Sequence, residues 1–121
     1  MELLTMTNEL LTACDEATAR FYDMRERDIE PDFFADVKPY ADNMRALLVT
    51  WQQLAHEWIT ANRPKHMHTQ QIDHARDAME QFFVQSFYKA TSKKRLIQSI
   101  ESTKYTLTIL KRYVEEGDVH V

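Results

Sequence analysis

The residues best suited to chemistry cluster at one point of the chain, Arg63-Pro64-Lys65-His66-Met67-His68. Two permanent cations and two imidazoles lie just ahead of a stretch with helical periodicity. The free N–H groups of a helix N-terminus can bind a phosphate, a carboxylate or an acidic peptide. Arg63, Lys65, His66 and His68 are therefore the first candidate binding residues. The same segment also reads as a plain helix–helix turn, with Pro64 stopping one helix and His68 starting the next. A second basic group, Lys93-Lys94-Arg95, is the second candidate.

Metal chemistry is weakly supported. His56, His66, His68 and His74 lie within nineteen residues, and imidazole suits zinc or nickel. A di-iron bundle needs Glu-x-x-His pairs facing inward on two helices. No histidine here has an acid three residues before it, and His-x-x-x-His is absent. That disfavours a zincin or a metal-dependent DinB-like hydrolase, so neither a metal nor a cofactor is expected. Nucleophiles fare no better. Cys14 is followed by Asp15 and Glu16, which raise a thiol pKa, so an inert core cysteine is expected. Ser86 falls on an apolar stripe, where a small residue lets helices approach. His56 and Glu57 are adjacent and do not face each other on a helix.

The elements that must position these groups are legible from the chain's punctuation. It holds one glycine, Gly117, and three prolines, Pro31, Pro39 and Pro64, in 121 residues. Average usage would supply about eight and about six. Gly-rich phosphate loops and strained nucleophile elbows cannot be built from this sequence. Four apolar stripes at helical spacing fill the intervals. The first, about 2–27, runs Leu3, Met6, Leu10, Ala13, Ala17, Phe21, Met24. The second, about 40–62, runs Tyr40, Met44, Leu47, Leu48, Trp51, Leu54, Ala55, Trp58, with both tryptophans expected in the core. The third, about 69–90, runs Ile72, Ala75, Met79, Phe82, Phe83, Ser86, Phe87, Ala90. The fourth, about 93–116, runs Leu96, Ile100, Thr103, Leu107, Leu110, Val114.

A short helical turn is expected at 32–37, capped by Asp32, with Phe33 and Phe34 plugging one end of the core. Pro39 suits the first turn of the second helix. His68 or Thr69 should cap the third, Ser92 the fourth, and Gly117 should stop it. Helices of roughly 33–39 Å joined by short turns must pack antiparallel. The expected architecture over residues 1–121 is one domain, an all-α, up-down-up-down antiparallel four-helix bundle. Charge agrees with this topology. Residues 23–36 hold six acids against two bases, and residues 89–95 hold Lys89, Lys93, Lys94 and Arg95 without an acid. A bundle of this kind brings the two segments to one end, where Asp28, Glu30, Asp32 or Asp36 should meet the cations.

The net charge of −4 disfavours a nucleic-acid binder. No aliphatic run approaches the roughly 20 residues of a membrane span. The start lacks the basic region of a signal peptide, and a single cysteine fits a reducing cytoplasm.

Over nearly its whole length the chain resembles the YppE-like family of small bacterial proteins. The residues that carry the likeness are Asp32-Phe33-Phe34, Lys38-Pro39, Trp51, Arg63-Pro64-Lys65, His68, Gln71-Ile72, Gln85-Ser86-Phe87, Lys93-Lys94-Arg95 and Tyr105-Thr106-Leu107. The resemblance implies a four-helix bundle and carries over no activity and no catalytic residue. A departure lies at Ala90-Thr91-Ser92, where the family pattern can hold histidine. The expected function is a non-catalytic, cytoplasmic interaction module, monomeric or homodimeric, whose partner is another protein. The alternative is a small-ligand or metal-binding protein, with an enzyme as one form of it, using the histidines around 56–74. A buried pocket shared by His56, His68 or His74 with Asp73, Asp77 or Glu57 would favour it.

Overall fold

The computed structural model describes residues 2–117. Four helices make up the bundle: α1 (Glu2–Arg27), α2 (Lys38–Asn62), α3 (Thr69–Gln85) and α4 (Lys93–Gly117). A one-turn π helix, Phe33–Val37, precedes α2. α1 packs mainly on α4, α2 on α3, and α3 on α4, while the α1–α2 seam is less closely joined. This is the antiparallel up-down-up-down arrangement expected from the short turns.

Local chemistry explains most boundaries. α1 ends where Asp28 takes a left-handed conformation, φ 52°, and its N–H reaches back to Arg25 O at 3.3 Å. Pro31 then blocks continuation. α2 starts with Pro39 in its first turn and ends at Arg63, also left-handed at φ 46°, whose N–H bonds Ile59 O at 2.8 Å. His68 caps α3, its N–H donating to Gln71 Oε1 at 2.6 Å. Ser92 caps α4, accepting from the Arg95 N–H at 3.4 Å.

Three expectations need correction, the last of them the burial of Trp58, which is only half-buried. α3 stops at Gln85 rather than continuing to residue 90, and Ala90 is exposed. After Val84 the backbone tightens into i→i+3 bonds, Phe87 N–H to Val84 O and Tyr88 N–H to Gln85 O. Thr91 Oγ1 then covers the Gln85 carbonyl at 2.9 Å. The second correction concerns Phe33 and Phe34, which do not plug the core. They are 45% and 78% exposed and meet edge to face at 5.3 Å. Val37, buried to 1%, fills that end instead. The turn is pinned at both ends: Asp32 Oδ1 accepts from the Ala35 N–H, and the Asp32 N–H donates to Asp36 Oδ2. So held, it points its last residue inward and its first two outward.

The core runs the length of the bundle. The stripes of α1 and α4 are buried as expected except for Met6, which is half-buried. Trp51 is fully buried, and its Nε1–H donates to Thr7 Oγ1 at 3.1 Å, which itself donates to Leu3 O at 2.8 Å. A Cβ on Gly117 would stand 3.2 Å from the ring of the half-buried Trp58, so the lone glycine marks a close approach. The expected stop after Gly117 lies outside the described residues.

Candidate functional site

Arg63, Lys65, His66 and His68 are all exposed, and buried Met67 anchors their turn in the bundle. The His66 N–H donates to Tyr113 Oη at 3.1 Å, tying the turn to α4. His66 opens onto a groove of about 700 Å³ along α4, lined also by Tyr105, Ile109, Arg112 and Tyr113. The four candidates share one turn without converging on a point.

The histidines separate. His74 is exposed, and His66 and His68 stay on their turn. His120 lies outside the described residues. Among the described residues only His56 meets a carboxylate: its Nε2 is 2.6 Å from Asp73 Oδ1, with the side chains 38% and 48% exposed. Gln52 Nε2 donates to the same oxygen at 2.6 Å. Hydrogen bonds from Gln52 and then from His56 hold the Asp73 carboxyl below its usual value. The network continues along the α2–α3 seam. Arg76 donates to Gln52 Oε1 at 2.7 Å and to Glu80 Oε1 at 3.0 Å, and Arg45 approaches Glu80 at 3.8 Å. His56 and Asp73 thus pair at the surface, not in the buried pocket that would favour the small-ligand or metal-binding alternative. Among the described residues no three His, Cys, Asp or Glu side chains stand close enough to hold a metal ion.

The basic turn sits beside the acidic segment, as the charge pattern predicted. Lys89, rather than Lys93–Arg95, makes the ion pairs, with Asp28 at 2.5 Å and Glu30 at 3.8 Å. The pairing lowers the Asp28 pKa and raises that of Lys89, chiefly through their hydrogen bond. Lys93 lies over the Tyr22 ring at 5.3 Å. Asp32 and Asp36 serve their own turn instead. Lys94 and Arg95 are exposed.

Cys14 is inert for a reason only partly visible in the sequence. Burial is the larger cause and Asp15 the next, together pushing its thiol to about 12. Ser86 is more than a spacer. Fully buried, it accepts from Arg20 Nε at 2.9 Å and donates to Phe83 O at 2.8 Å. The Arg20 guanidinium lies over the rings of Tyr40 and Phe87, 4.5 and 4.4 Å from their centroids, and the two rings pack against each other at 5.6 Å. Sequence reading missed Arg20. Its position beside Phe21 on the edge of the α1 stripe was the available signal.

Fold and surface together define a small helical bundle without a convergent catalytic centre among the described residues. A family model described as a bacterial domain of unknown function, DUF1798, matches residues 7–114, and the chain belongs to that family. It is 29% identical over 116 residues to the uncharacterized protein YppE of Bacillus subtilis, covering 96% of this chain and 94% of the relative. The crystal structure of that YppE superposes with a TM-score of 0.94 at 28% identity, covering 98% of this chain and 97% of the other. A Listeria innocua protein of unknown function gives a TM-score of 0.91 at 28% identity, covering 98% and 94%.

Proposed function

We propose that this protein is a non-catalytic protein-interaction module whose principal contact is the Phe33–Phe34 turn. The observation that carries this reading is the exposure of two adjacent phenylalanines on a turn held by side-chain and backbone hydrogen bonds. Large aromatics standing in water on a preorganised turn are suited to act as binding anchors. The segment around them carries Asp28, Glu30, Asp32 and Asp36; Lys89 offsets Asp28 and Glu30, which leaves Asp32 and Asp36 as the acids of the turn itself. The partner is accordingly another protein, with an apolar socket rimmed by lysine or arginine. Lys93, Lys94 and Arg95 flank the same end of the bundle. Arg63, Lys65, His66 and His68 lie at the opposite end and form a secondary contact. One unpaired buried thiol, and the absence among the described residues of a helix long and apolar enough to cross a membrane, support a cytoplasmic setting.

A photo-crosslinking phenylalanine analogue at position 34, used in cells, tests the reading. The expected product joins the chain to one different protein. That protein, purified, should bind the wild type and lose about tenfold or more in affinity to Phe34→Ser, the equivalent of about 1.4 kcal/mol. Crosslinking only to a second copy of this chain, or equal affinity for Phe34→Ser, would overturn it.

A further inference from the structure

The apolar stripe of α2 is longer than the bundle can cover. Leu48, Trp51, Ala55 and Ile59 are buried, yet Tyr40, Met44 and Leu47 remain half-buried. All three border α1 across the less closely joined α1–α2 seam, and the Tyr40 ring also packs on Phe83 and Phe87. A groove of about 540 Å³ runs there, with Ala13, Tyr40, Met44 and Leu47 as apolar lining and Glu9 and Glu16 from α1 among its other walls. No lysine, arginine or histidine lines it. Neither glutamate has an ion-pair partner among the described residues, and both are exposed.

We infer that the α1–α2 groove is a second binding surface, and that it takes a basic amphipathic helix from a partner protein. Three features fit that occupant. Half-buried leucine and methionine gain most when an apolar helix face covers them, and methionine adapts its shape to different partners. Glu9 and Glu16 are seven residues apart, two turns along one edge of α1, and match cations at i and i+7 on a docked helix. The lined stretch of α1, residues 5–16, spans about 17 Å, room for about three helical turns. Repulsion from the two glutamates would turn away an acidic helix of the same apolar content. This inference rests on the reading of the chain as an interaction module but uses a surface separate from the Phe33–Phe34 turn.

The test uses a fluorescein-labelled synthetic helix of about 14 residues, with leucine along one face and lysine at i and i+7 on its flank. A control peptide carries glutamate in place of lysine. Fluorescence anisotropy should show saturable binding of the lysine peptide and none of the control. Glu9→Lys with Glu16→Lys should weaken binding about tenfold or more, a loss of about 1.4 kcal/mol, while thermal melting confirms that this surface variant folds. Amide shifts in an NMR titration should map to Ala13, Met44 and Leu47. Equal binding of both peptides, no saturable binding, affinity unchanged in the double variant, or shifts confined to other faces would overturn the groove. So would dimerisation seen by sedimentation and abolished by the same two substitutions, which would assign the groove to a second copy. Phe34→Ser should bind the peptide as the wild type does. Failure of the groove therefore leaves the crosslinking result at Phe34 standing, and the reverse also holds.

Discussion

Arg20 joins three parts of the bundle through one guanidinium. It rises from α1, lies over the adjoining rings of Tyr40 of α2 and Phe87 beyond α3, and donates to Ser86. Cation–π contacts of this kind contribute about 0.5–2 kcal/mol, and the hydrogen bond about 1 kcal/mol. Arg20→Met keeps the apolar stem and removes the charge. It should lower the unfolding free energy by about 1–3 kcal/mol in urea titration, and an unchanged midpoint and slope would show that the clamp contributes nothing. Asp73 makes a prediction in pH. Its folded carboxyl pKa lies below the ordinary 3.8. Its stabilising contribution is therefore fully present above that value and disappears as pH falls through the lower, folded one. In Asp73→Asn the loss of stability between neutral pH and pH about 2 should be smaller than in the wild type. Equal losses in the two proteins would deny Asp73 that role.

At the scale of elements, the π turn shows how capping decides which side of a segment faces water. Binary reading of two phenylalanines predicts burial, because their transfer from water is favourable by about 2 kcal/mol each. The hydrogen bonds among Asp32, Ala35 and Asp36 orient the turn so that Val37 occupies the space instead. Asp32→Ala removes the acceptor for the Ala35 N–H and should cost about 1 kcal/mol. Hydrogen exchange should accelerate at Ala35 while the middle of α2 keeps its protection. Acceleration across all of α2 would mean that the turn and the helix open as one unit. The premature end of α3 has the same lesson. Its apolar spacing runs on to Ala90, but the i→i+3 bonds after Val84 and the Thr91 hydroxyl on the Gln85 carbonyl end the helix at Gln85.

Across the whole molecule, stability comes from the shared stripe core. Leu107, fully buried in α4, should cost about 2–5 kcal/mol when changed to alanine. Phe34→Ser, at the exposed turn, should leave the melting temperature nearly unchanged. A comparable loss in both variants would contradict the burial pattern. The architecture was legible because scarce glycine and proline left only a few places for turns, and stripes with helical period had to be buried against one another. Helix boundaries followed where a cap residue stood in the sequence, as at His68 and Ser92. The candidate sites were less legible. Arg63, Lys65, His66 and His68 share a turn, but chain proximity did not make them converge, since the buried Met67 between His66 and His68 sets their directions. The meeting of His56 with Asp73 depends on the register of α2 against α3, which no local pattern encodes.

By itself the sequence determined an all-α chain, the order and approximate extent of its four helices, and which end gathers opposite charges. These follow from local propensity and from periodicity, which act over a few residues. Only the tertiary structure decided that Phe33 and Phe34 stand in water, that Arg20 is clasped by Ser86 and two rings, and that Tyr40, Met44 and Leu47 are left incompletely covered. Each of those outcomes depends on how closely two distant segments approach. That distance is set by packing across the whole bundle, and no spacing along the chain records it.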